Sequence, residues 1–262
     1  MSWEILSILI LYGAIVGSFL NVCIVRIPEG REIVVTPSAC PRCGARIAWH
    51  DNVPILGWVW LRGRCRHCRE PISIQYPLVE AAMALLAVAI AHRFGLTWGA
   101  LALGVLGAAL IVLTVIDLYH YILPDVITLP GILCGLGLSL VPGVGPPIAD
   151  WSASLTGVIA GGGGLWAFAW SFEKITGKVG MGFGDVKLTA MIGAWLGGQA
   201  LPFTIFIAAV IGSVVGLVWI VIGGRDRALP IPFGPYLAAA ALLYAFYGPA
   251  LHRLYMGWVL GG

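Results

Sequence analysis

LALGVLGAALIVLTVID, residues 101–117, decides the fold. Sixteen apolar, small or hydroxyl residues run without a charge and then stop at an aspartate. As α-helix such a run is about 24 Å long, close to the hydrocarbon thickness of a bilayer. The whole chain has the same character. Of its 262 residues, 60% are hydrophobic and only 10% charged, against about a quarter charged in soluble proteins. Thirty-six glycines suit helices that pack closely in lipid. The expected fold is an all-α polytopic membrane protein.

Stretches long enough to cross suggest about eight transmembrane helices, near 5–25, 77–94, 98–116, 125–141, 151–172, 185–200, 203–223 and 233–252. The fourth and sixth are short and flanked by Gly or Pro. The first has no basic region before it, has no small-residue cleavage site, and is followed by Arg26, so it reads as a retained anchor. The division expected is 1–26 as first transmembrane helix, 27–76 as a small cytoplasmic zinc-ribbon-like loop domain, and 77–262 as a membrane-embedded core of about seven helices.

Charge sets the orientation. Alternating spans gather Arg26, Arg31, Arg42, Arg46, Arg62, Arg64, Arg66, Arg69, Lys174, Lys178, Arg225 and Arg227 on one side, with Lys187 just beyond a boundary. The other side keeps only Arg93 and Arg253. The first side is therefore expected in the cytoplasm and both termini outside. Asp117 and Asp185 then fall on the same, cytoplasmic, edge. The arginines of the loop serve topology and contact with anionic lipid. No interleaved aromatics suggest nucleic acid.

Within the loop, Cys40 and Cys43 form one C-x-x-C knuckle and Cys65 and Cys68 another. Two such turns can close a tetrahedral zinc shell with no open position, a structural site that folds a segment too small for its own core. The alternative is reduced thiols or a redox pair, which a cytoplasmic location makes less favourable for disulfides. His50 and His67 read as surface residues. Cys23 and Cys134, in apolar runs, read as small core residues.

Each carboxylate has a structural use to weigh. Asp185 follows Gly184 at the start of a span and would serve as an N-cap, and Asp125 after Pro124 still more so. Asp117 stands at a helix C-terminus, where the macrodipole opposes negative charge. An ionisable group at a bilayer edge is costly unless wet, paired or used. Two aspartates that meet can share a proton, with Asp117 expected as the acid and Asp185 as the base. Gly180, Gly182 and Gly184 alternate through KVGMGFGD, baring a backbone edge against which an extended peptide can lie; the plainer reading is an interhelical turn.

Several further motifs stand in order along the chain: GSFLNVCIVRIP at 17–28, PSACPRCGARI before the second knuckle, YPLVE at 76–80, IDLYHYILPD at 116–125, TGKVGMGFGDVKL at 176–188 and PIPFGPYLA at 230–238. Together they resemble, nearly end to end, the type IV prepilin peptidases, which are GxGD-type membrane aspartic proteases. The resemblance lays the GxGD motif on Gly182, Phe183, Gly184 and Asp185, makes Gly182 and Gly184 the active-site loop, and makes Asp117 and Asp185, not Asp125, the catalytic pair. It implies an enzyme of the bacterial inner membrane that removes a short basic leader from prepilins and pseudopilins at the cytoplasmic face. Members with the tetracysteine loop also methylate the new N-terminal amine with S-adenosylmethionine, so both activities are expected here. Residues for the methyl donor stay unassigned: no strand-linked G-x-G-x-x-G is present, GGGG at 161–164 reads as helix packing, and Glu70 and Glu80 read as a loop charge and a first-turn acid. A proton- or ion-coupled transporter and a non-enzymatic assembly factor are the alternative readings.

Overall fold

In a computed structural model the chain is described for residues 2–177, 180–221 and 231–259, with side chains through Leu251 except Pro249. Lys178, Arg225, Arg227 and the side chain of Arg253, used above for orientation, lie outside the described residues. Helix covers each of the eight expected stretches. In order these are α1 (Trp3–Arg26), the short loop helix α2 (Leu56–Trp60), α3 (Gln75–Phe94), α4 (Trp98–His120), α5 (Asp125–Ser139), α6 (Trp151–Val158), α7 (Leu165–Thr176), α8 (Phe183–Leu196), α9 (Ala200–Val221) and α10 (Gly234–Val259). A π-helical turn over Ile159–Gly164 joins α6 to α7 into one continuous rod. Among the described residues, five helices are long and apolar enough to cross a membrane: α1, α3, α4, the α6–α7 rod and α9. At 15 and 14 residues, α5 and α8 are shorter.

The helices fall into two compact units, Met1–Leu96 and Thr97–Gly262. In the first, α1 packs on α3 through glycines one turn apart. A Cβ on Gly13 would stand 2.6 Å from the Ala84 backbone, and one on Gly17 2.6 Å from that of Glu80. Backbones this close gain dispersion where lipid offers no hydrophobic drive. Asn21, also buried, donates to the carbonyl of Tyr76 at 3.0 Å. Arg26 at the end of α1 does more than mark topology: its guanidinium is buried and bonds the carbonyls of Glu32 (3.0 Å), Thr36 (2.8 Å) and Pro37 (3.3 Å) as the chain leaves the helix.

The second unit is organised around α8. Ten of its fourteen residues are buried, so this short helix is core rather than lipid-facing. It packs against α5, α6, the π turn, α9 and α10. Gly157 of α6 and Gly193 of α8 meet backbone to backbone, each blocking the space a Cβ would need on the other. Ser154 donates to Ala194 O at 2.6 Å, and the Trp195 indole donates to Gly131 O at 2.7 Å. Helix α8 is thereby held on two sides, its own backbone accepting from α6 and its indole donating to the backbone of α5, and its first turn carries Asp185.

Candidate active site

Asp117 belongs to the last turn of α4, which ends where Tyr121 takes a left-handed conformation (φ 57°) and donates its N–H to Asp117 O. The side chain is 5% exposed. Its Oδ2 accepts a 2.9 Å hydrogen bond from the backbone N–H of Gly234, the first residue of α10. A helix N-terminus therefore faces this carboxylate, which opposes the dipole of Asp117's own helix. The expected division into Asp117 as acid and Asp185 as base rests on one carboxylate facing a helix C-terminus and the other a helix N-terminus; with Gly234 at Asp117, both carboxylates face a helix start.

Asp185 is the third residue of α8, not its N-cap; that position belongs to Gly182, in extended conformation. The Asp185 carboxylate reaches back to the Gly182 backbone N–H, the return half of a capping box. It also lies within Coulombic reach of Asp117. Leu123, in the turn between α4 and α5, bridges the two environments. It stands against Gly184 on one side (3.1 Å to a built Cβ) and against Gly234 on the other (also 3.1 Å). A Cβ on Gly234 would be 2.7 Å from Asp117 Oδ2, and one on Gly182 3.2 Å from Asp185 Oδ2. Both aspartates thus sit beside bare backbone. Asp125 is elsewhere engaged: it is exposed and paired with Lys187 Nζ at 2.6 Å.

The four loop cysteines converge. All four Sγ atoms lie within 4.8 Å of one another, with Cys40 and Cys68 at 3.8 Å. A tetrahedral zinc with Zn–S of about 2.3 Å sets its sulfurs roughly 3.8 Å apart, so the residues present fit the ion. The knuckles are built alike. Cys40 N–H bonds Ala45 O and Cys65 N–H bonds Glu70 O, and each knuckle is closed by one antiparallel bridge, Ala39 to Arg46 and Arg64 to Pro71. The left-handed residue after the second cysteine is Gly44 (φ 70°) in one knuckle and Arg69 (φ 61°) in the other. Backbone N–H groups of Cys68 and His67 aim at Cys65 and draw its thiol down to about 6. Cys68 also receives the Glu70 backbone bond, which favours its thiolate. Burial and its hydrogen bonds to Cys65, Cys43 and Cys40 outweigh that bond and push it up to about 12.

Two family models match the chain: the bacterial peptidase A24 N-terminal domain over residues 11–94, and the type IV leader peptidase family over 104–217. A prepilin leader peptidase/N-methyltransferase of Aeromonas salmonicida is 39% identical, covering 99% of this chain and 97% of that protein. The chain belongs to the type IV leader peptidase family. Proteins of the same name from Xanthomonas campestris (41% identical, 90% and 89% covered) and Pseudomonas aeruginosa (39%, 94% and 92%) are similarly close. No solved structure matches it.

Within this family member, sequence reasoning missed three things. Gly234 was unremarked, although PIPFGPYLA carries it; nothing local in that motif points to a partner 117 residues earlier. Glu80 is not a first-turn acid: it lies in the second turn of α3, 6% exposed, and its Oε2 accepts the Ile55 N–H at 2.6 Å. Cys134 is exposed on α5 rather than core, while Cys23 is buried as expected. His50 and His67 are exposed, and Glu70 pairs with Arg42 at 3.5 Å.

Proposed function

We propose that this chain is an aspartic endopeptidase that removes the basic leader from prepilins and pseudopilins, and that it N-methylates the new N-terminus. The observation carrying the peptidase reading is the proximity of Asp117 and Asp185, each taking a backbone N–H at a helix start. One carboxylate accepts a proton from the attacking water while the other gives a proton to the amide nitrogen as it leaves. Gly182 and Gly184 leave the edge beside Asp185 free of side chains, which favours an extended substrate. Relatives named as leader peptidases and N-methyltransferases support both activities; neither the transporter nor the assembly-factor reading has such support.

In this reading the tetracysteine cluster holds a structural zinc through Cys40, Cys43, Cys65 and Cys68, folding the loop without entering the chemistry. S-adenosylmethionine supplies an electrophilic methyl group when bound. No residue of the chain is assigned to it: the described residues hold no strand-linked glycine loop of the dinucleotide-binding kind. Location in the bacterial inner membrane is what the family resemblance implies, and the lysine and arginine distribution supports placing the aspartates and cysteine loop on the cytoplasmic side.

Purified protein incubated with a prepilin tests the peptidase reading. Asp117→Asn and Asp185→Asn are each expected to lower the cleavage rate by about a hundredfold to ten-thousandfold, as loss of a proton-transfer group does. Wild-type cleavage by either variant rules out the pair.

A further inference from the structure

The short loop helix α2 presents an unusual surface. Trp58 points inward, donating to Ile72 O at 3.1 Å, and Gly57 is buried. Leu56, Val59 and Trp60, which share the opposite face by helical spacing, are 65%, 57% and 83% exposed. A tryptophan this bare is costly in water and ordinary at a membrane interface.

The anchoring of α2 fixes its depth. Ile55, immediately before it, has φ 61° and ψ −52°, and Leu56 N–H bonds Pro54 O across it at 2.6 Å. This is a γ-turn of the rare, strained hand. The Ile55 N–H is held by Glu80, whose carboxylate also bonds Ser18 of α1. Glu80 is five residues into α3, about 7 Å along its axis, and opposite it is Gly17, nine residues before the end of α1. The start of α2 is therefore pinned inside the ends of both long apolar helices, not above them. Charge completes the picture. The segment 27–76 has seven arginines against four acids. Arg62, Arg64 and Arg69, directly after α2, are exposed, with no ion pair among the described residues.

We propose that α2 is an in-plane interfacial foot. Leu56, Val59 and Trp60 enter the headgroup–acyl boundary of an anionic leaflet, and the following arginines bind its phosphates. The Glu80–Ile55 bond is the clasp that sets the depth of the foot, and the cysteine knuckles are thereby held against the bilayer surface. The partner is anionic phospholipid, and the inference stands whether or not the chain cleaves prepilins.

The full-length protein in nanodiscs tests it. Hydrogen exchange of amides 56–61 should slow about tenfold when phosphatidylglycerol is added to phosphatidylcholine, equivalent to roughly one arginine–headgroup interaction. The combined variant Leu56→Ser, Val59→Ser, Trp60→Ser should lose that slowing. Trp60→p-benzoylphenylalanine, irradiated in the same nanodiscs, should give a phospholipid adduct. Exchange that is equal in the two lipids overturns the proposal. So does an adduct formed with a second copy of the chain or with an added prepilin in place of lipid, which would make this face a protein-docking surface.

Discussion

The backbone N–H of Gly234 donates to Oδ2 of Asp117 at 2.9 Å, so the first residue of α10 holds a carboxylate at the end of α4. That bond needs glycine. A Cβ would stand 2.7 Å from the oxygen it serves and 3.1 Å from Leu123. Gly234→Ala is therefore expected to displace the carboxylate while leaving the helices intact. A displacement of this kind lowers turnover by about a hundredfold, readable as prepilin cleavage beside an unchanged circular dichroism spectrum. Cleavage at the wild-type rate would show that Asp117 does not depend on this contact.

Asp125 offers the matched control. It is exposed, and its 2.6 Å partner Lys187 is half-buried at the start of α8. Such pairs contribute about 0–1 kcal/mol. Asp125→Asn should keep cleavage within about threefold of wild type, whereas Asp117→Asn, eight positions earlier, should abolish it. Equal losses would mean that the two aspartates are not distinguished as argued.

The paired knuckles differ at one backbone position. Gly44 adopts the left-handed conformation without penalty, but Arg69 carries a side chain there. Relieving that conformation is worth about 1 kcal/mol. Arg69→Gly should raise the denaturation midpoint of the zinc-loaded protein, and Gly44→Arg should lower it; the reverse order would refute the assignment.

Zinc binding should release protons in a pH-dependent number. Cys65, drawn down to about 6, is a thiolate at pH 7.5, whereas Cys68, pushed up to about 12, still holds its proton. At pH 7.5 the ion therefore displaces fewer than four protons. As pH falls through about 6, Cys65 takes up a proton that zinc must also expel, so the count rises and affinity drops more steeply. Calorimetry in buffers of different ionisation enthalpy measures both. A count that stays constant from pH 7.5 to 5.5 would contradict the inequivalence of the two thiols.

How much of this was legible in the sequence follows from how local each cause is. Apolar runs and Gly/Pro breaks located the long helices, though not α2, because span length is a property of consecutive residues. The C-x-x-C turns were equally local, and their four sulfurs converge. Long-range polar contacts were not legible. Glu80 meets Ile55 only because α2 folds back against α3, and no spacing along the chain encodes that. Asp185 looked like an N-cap because Gly184 hid the true start of α8 two residues earlier. Cys134 is exposed although it lies in an apolar run, because an apolar residue of a membrane helix can face lipid as well as the interior.

The Gly157–Gly193 crossing has a mechanical consequence for Asp185. Where helices meet through side chains, rotamer hopping lets their separation breathe. Here two bare backbones touch, so the spacing is fixed by van der Waals contact between two rigid helices, with no side chain able to adjust it. Helix α8 rests on that contact as on a hard bearing. Nearly any side chain placed at either glycine would act as a shim, pushing α8 away from α6 and moving the first turn, with its carboxylate, as a rigid piece.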